Sequence, residues 1–99
     1  MKLYRTFFGR NIGTSGTIVS DRQFETFLRD TVDLLLDGYT TIDGVGRWRG
    51  TDEYTTIIEA CDEADELRWK VFQIVKAYKE RFNRESVQVQ EINCGVTFT

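Results

Sequence analysis

The chain has 99 residues, the size of one domain, and a formal net charge of −3 from 13 basic and 16 acidic residues. No basic block stands out, so nucleic acid is a poor partner, because phosphate binding needs a cationic stripe. No apolar run reaches membrane-spanning length and histidine is absent, which argues against a transmembrane helix and excludes a histidine-based catalytic triad.

Aromatic residues are plentiful, with seven Phe, four Tyr and two Trp. They can build one core, although a domain this small buries only about 60–65% of its unfolded surface. Self-association would cover more. The two cysteines, Cys61 and Cys94, belong to no CxxC or Cys/His cluster, so no metal site is expected and a reduced, buried pair is the plain reading. The first residues, Met1 to Arg5, lack the apolar core of a signal peptide. The expected location is cytoplasmic.

Leu3 to Phe8 is short and aromatic-rich and reads as a strand. Gly9 to Gly16 holds three glycines and Arg10-Asn11 and reads as a loop. It matches no phosphate-binding glycine motif. The first helix opens on Ser20 with Gln23 three residues on, a capping box, and Val19 and Phe24 fall at staple positions. Phe24, Phe27, Leu28, Val32, Leu35 and Leu36 follow helical spacing. Gly38 is expected to end the helix in the left-handed conformation.

Tyr39 to Arg49 reads as the second strand. Ile42, Gly44, Gly46 and Trp48 share one face, and the two glycines leave an opening above it or mark a bulge. Gly50 to Asp52 has turn composition. The third strand, Tyr54 to Cys61, completes a hairpin. The second helix is expected to start at Asp62, with Glu63, Asp65 and Glu66 complementing its dipole. Its buried stripe is Ala64, Leu67, Val71, Ile74, Val75, Tyr78 and Phe82, and Asn83 can stop it. In the last strand, Ser86 to Phe98, the apolar alternation changes phase at Gln90-Glu91, which predicts a β-bulge there.

The order strand, helix, strand, strand, helix, strand gives an α+β, ferredoxin-like βαββαβ sandwich. Its four-stranded antiparallel sheet carries both helices on one face. The other face must be covered or polar, and Trp48, Tyr54 or Phe8 on it would favour a symmetric oligomer.

Two families share features with this chain. The stretch Gly46-Arg47-Trp48-Arg49-Gly50 and the run Ala77 to Phe82 through Glu85-Ser86-Val87 resemble a bacterial domain family of unknown function, mostly small secreted proteins. The chain also resembles the small phage-encoded S-adenosylmethionine (SAM) lyases, long called SAM hydrolases. The shared features are Phe8-Gly9-Arg10-Asn11 after the first strand, Gly46-Arg47-Trp48-Arg49, Glu53 opening the next strand, and Gln90 five residues before Gly95. Two departures are a shorter hairpin and Trp48 where a tyrosine is expected.

The lyase resemblance implies SAM as substrate, no cofactor or metal, and a homotrimer with sites between subunits. It implies that Glu53 holds a positive group of the substrate and Trp48 stacks on adenine or faces the sulfonium. Gln90 would hydrogen-bond the ribose or the amino-acid end, and Arg10 or Asn11 would close over the site. Each residue also has an ordinary reading as a solvated polar or hairpin side chain. Two other functions remain open: a non-catalytic nucleotide-binding sponge or sensor, and a protein-interaction domain.

Overall fold

The computed structural model describes residues 1–12, 16–63 and 65–99. The main sheet is built from β1 (Lys2–Gly9), β4 (Thr40–Trp48), β5 (Thr51–Asp62) and β6 (Gln88–Asn93), in the order β4-β5-β1-β6. Every neighbouring pair is antiparallel. Helices α1 (Asp21–Phe27) and α3 (Glu66–Phe82) cover one face, so the architecture is the ferredoxin-like sandwich expected from the element order. Between β1 and α1, β2 (Asn11–Ile12) and β3 (Thr17–Ile18) form a small ribbon within the stretch read as loop. The middle of that stretch, and Ala64, lie outside the described residues.

The capping box forms as read. Ser20 Oγ accepts from the Gln23 backbone at 3.1 Å, and the Gln23 side chain accepts from the Ser20 N–H at 2.9 Å. The helix then changes pitch. Leu28–Val32 is π-helical, and the three-residue α2 (Asp33–Leu35) follows. Phe27 and Val32, five apart, are both fully buried. The extra residue per turn keeps them on one face, which a uniform 3.6-residue period would not do. Gly38 does not terminate this helix in the left-handed region. Leu36 does so by turning extended, at φ −115° and ψ 128°, and it anchors itself in the core.

The β4–β5 turn is one register earlier than its composition suggests. Trp48 pairs with Thr51, so the two-residue loop is Arg49-Gly50, at φ 50° and 78°. Two positive φ values in a two-residue loop match the twist of a hairpin. β5 continues through Asp62, so the cap of α3 is Asp65 and not Asp62. Asn83 does end α3, in the left-handed region at φ 52°.

The expected bulge at Gln90-Glu91 is absent: β1 and β6 pair in unbroken register from Lys2↔Asn93 to Phe7↔Gln88. The phase change has another cause. Val89 lies opposite Thr6 on the helix-covered face, whereas Ile92 lies opposite Leu3 on the open face. The apolar character moves from one face to the other because this end of the open face is itself apolar.

The core lies between the sheet and the helices. Tyr4, Thr6 and Phe8 of β1, and Thr56, Ile58 and Ala60 of β5, point into it. Phe8, Phe24, Phe27, Tyr78 and Phe82 form an aromatic cluster, with Phe8 and Tyr78 at 4.8 Å and Phe27 and Tyr78 at 5.2 Å between ring centres. Such edge-on pairs add about 0.5–1.5 kcal/mol each beyond the area they bury. All six described residues of the α3 stripe are buried. No helix among the described residues is long and apolar enough to cross a membrane.

Candidate functional site

The open face of the sheet carries a cleft of about 610 Å³. Its shape follows from the register. Gly44, Thr55 and Gly9 form one row across β4, β5 and β1, and Ile57, Phe7 and Gln88 form the next row. Two glycines in the first row remove the side chains that would fill it. Among the described residues, nothing lies within 4 Å of where a Gly44 Cβ would be. Phe7 and Ile57 give the floor an apolar surface. Trp48, 73% exposed, stands at the rim with the Arg49 guanidinium 5.4 Å from its ring centre.

Glu53 closes one end. It pairs with Gly46 on β4, just beyond the last β1–β5 pair, Gly9↔Thr55. Its carboxylate leans over Gly9, where a Cβ would lie 2.5 Å from Glu53 Oε1 and 2.6 Å from Arg84 Nη2. Only glycine leaves the ion pair undisturbed at this position, by close approach and not by its backbone angles. Oε2 accepts from the Asn11 N–H at 3.0 Å and from Arg84 Nη1 at 2.8 Å. Among the described residues, Oε1 has only the longer 3.5 Å contact to Arg84 Nη2. Both partners of the ion pair are about a quarter exposed.

Arg84 has no place in the sequence-based set of site residues. The left-handed Asn83 turns the chain, and the Arg84 N–H donates to Lys79 O at 3.0 Å. The side chain then reaches the sheet, where Nη1 also donates to Asn11 O at 3.0 Å. Its Nε is buried without a partner among the described residues. The available signal was Asn-Arg directly after a basic helix end, since a left-handed residue redirects whatever follows it.

The site is tied to the core through Gly9. Tyr78 Oη donates to Gly9 O at 2.7 Å. Burial pushes the Tyr78 hydroxyl up to about 12, so it stays a donor at neutral pH.

The five sequence-based candidates divide. Trp48 and Glu53 line the cleft, and Asn11 joins them through its backbone N–H. The Arg10 side chain goes elsewhere: Nε donates to Val19 O at 2.9 Å and Nη2 to Asp21 Oδ1 at 2.7 Å, fastening the start of α1. Gln90 lies on the open face opposite Arg5, one row further than Gln88, which is the glutamine that lines the cleft. Among the described residues, no group of three or more His, Cys, Asp or Glu is placed to hold a metal ion.

Fold and cleft together define a ferredoxin-like domain with a ligand-sized recess on its uncovered sheet face. The chain belongs to the family described as protein of unknown function (DUF3574), which matches residues 4–98. Its fold is similar to that of a phage SAM lyase in complex with S-methyl-5′-thioadenosine, with a TM-score of 0.65 and 22% identity, covering 92% of this chain and 79% of that one. A phage SAM lyase in the apo state matches with a TM-score of 0.58 and 24% identity, covering 91% and 79%. At these identities the likeness is one of fold. No curated protein matches the chain in sequence.

Proposed function

We propose that this protein is a SAM lyase, cleaving SAM to 5′-methylthioadenosine and L-homoserine lactone. The observation that carries the reading is the cleft, where an apolar floor meets one carboxylate held in place by Asn11 and Arg84. The shared fold with a phage SAM lyase supports it.

In this reaction an oxygen of the substrate's own carboxylate bonds to its γ-carbon. The carbon–sulfur bond breaks and its electron pair stays on sulfur. No proton moves, so a chain without histidine is adequate. The carboxylate and the sulfonium both lose their charge, so a weakly polar, water-poor surface such as Phe7 and Ile57 favours the transition state. The protein's task is to hold the methionine chain bent, and orientation of this kind contributes roughly 7–11 kcal/mol. Glu53 Oε1 would hold the α-amine, whose charge persists throughout. Trp48 would stack on adenine or face the sulfonium, which aromatic faces attract. A carboxylate near the sulfonium would over-stabilise the ground state and slow the step.

Arg84 matters for the same reason. While it stays on Glu53, the substrate carboxylate remains free to attack. Arg84 also favours a second reading. A carboxylate beside a guanidinium matches an amino-acid zwitterion, and Arg84 swung onto the substrate carboxylate would hold the nucleophile back. The protein would then be a non-catalytic binder, a sponge or sensor.

The cleft is open on one side, and β4 is an edge strand with Ile42, Val45 and Trp48 exposed. The proposal therefore includes a homotrimer whose clefts are completed between subunits, acting in the cytoplasm. There it would deplete the methyl donor on which restriction–modification enzymes depend.

The test is incubation of the purified protein with SAM, with products followed by mass spectrometry and the assembly state by sedimentation. Methylthioadenosine with homoserine lactone is the expected result. Homoserine without lactone would replace the lyase step by hydrolysis, and intact SAM bound without turnover would favour the second reading. Absence of both binding and product would overturn both, and a stable monomer would remove the interface. Gly44→Phe places a ring at the cleft lining, from a Cβ that meets nothing within 4 Å among the described residues. It is expected to lower turnover by about tenfold or more while leaving the thermal midpoint within about 2 °C of the original, because open surface sites change stability little.

A further inference from the structure

Away from the cleft, at the Met1 end of the open face, two thiols lie close together. Cys61 Sγ and Cys94 Sγ are 3.7 Å apart, and both residues are partly buried. They come from opposite sides of β1. Cys61 pairs with Leu3 on one side, and Cys94 follows Asn93, the last β6 residue paired with β1, on the other. The Cys94 N–H donates to Met1 O at 3.2 Å. Residues in register across an intervening strand would be about 9–10 Å apart, too far for a disulfide. The side chains nonetheless bring the sulfurs together across β1, with Cys94 one residue beyond the end of β6 and tied to the Met1 end of β1 by its N–H.

We propose that Cys61 and Cys94 form a redox-active pair that closes to an intramolecular disulfide, clamping the C-terminal segment across the sheet. From 3.7 Å, the sulfurs must approach by roughly 1.7 Å to bond. The segment from Gly95 to Thr99 is exposed throughout and can follow Cys94 inward. The oxidant is a small disulfide such as oxidised glutathione. One glutathione sulfur is first transferred to a protein thiol and one glutathione leaves as a thiol. The second protein sulfur then displaces the other glutathione. Two protein thiols are oxidised, one disulfide is reduced, and the two protons end on the glutathione thiols.

Burial pushes the Cys61 thiol up, and its hydrogen bond to Cys94 adds to this. Cys94, beside the exposed Gly95–Thr99 segment, is the first to be captured, and Cys61, within β5, is the one that resolves it. The closed loop spans about 34 residues, so constraining the unfolded chain favours the linked form.

The test treats the whole protein with oxidised glutathione and reads intact mass without denaturant. The expected product is monomeric, lighter by two hydrogens and free of bound glutathione. Its thermal midpoint should rise by about 8 °C or more and return on reduction. Cys61→Ser should trap glutathione on Cys94. Wild-type protein that carries glutathione on both cysteines, or that links only between molecules, would overturn the proposal. So would an unchanged mass after prolonged treatment. None of these readouts depends on what the cleft binds.

Discussion

Glu53→Gln is expected to reduce conversion of SAM by roughly 10²–10³-fold, the scale on which loss of one preorganised electrostatic contact is felt. The substitution keeps the side chain's length and leaves a carbonyl oxygen able to accept from the Asn11 N–H, 3.0 Å from Oε2. It removes the charge proposed to hold the substrate's α-amine. It also strips Arg84 of its anion. The Arg84 side chain is 22% exposed, its Nε already lacks a partner among the described residues, and neutral oxygens, Asn11 O and the retained glutamine carbonyl, would be what it donates to. A half-buried charge left in this state costs about 1–3 kcal/mol, so the thermal midpoint should fall by several degrees. Arg84→Ala separates the two effects. If Arg84 only positions Glu53, the double variant loses no more activity than Glu53→Gln alone. If Arg84 holds the substrate carboxylate, removing it weakens binding but speeds turnover of whatever binds. Unchanged turnover in Glu53→Gln would remove this residue from the mechanism.

The fold was readable where local chemistry and tertiary packing agree. Ser20 and Gln23 cap α1 because their side chains satisfy the first turn whatever lies around it. Leu67 to Phe82 reads as a buried stripe because α3 keeps a regular period. The failures occur where packing chose between local options. At Leu28–Val32 the helix widened to keep Phe27 and Val32 on one face. At Gln90 the phase change could mean an extra residue or a change of buried face, and only the partner strand distinguishes them. The site divides in the same way. Glu53, Trp48, Gly44 and Gly46 lie on one hairpin, so a single stretch of sequence exposes them together. Arg84 reaches the carboxylate from 31 residues away, through a turn made by one left-handed asparagine, and no local pattern encodes that meeting.

Gly9→Ala is expected to damage the site while sparing the fold. The Gly9 backbone is not in the left-handed region, so alanine adopts it without strain, and the carbonyl still accepts from Tyr78. Replacing glycine inside a strand is worth about 0.5–1 kcal/mol in favour of alanine. Against this, the new methyl would meet Glu53 Oε1 at 2.5 Å and Arg84 Nη2 at 2.6 Å. Ordinary contacts need about 3.4 Å or more, so the ion pair must move by about 1 Å. Both atoms are the far ends of flexible side chains, and they can do so cheaply. The thermal midpoint should therefore change by only about 2–3 °C. A displacement of this size at a group that orients substrate can cost about 10²-fold in rate. Gly44→Ala is the matched control, because its methyl meets open space and should leave both stability and turnover near wild type. Full activity in Gly9→Ala would mean that Glu53 does not need its place above Gly9, and the carboxylate's role in binding would have to be given up.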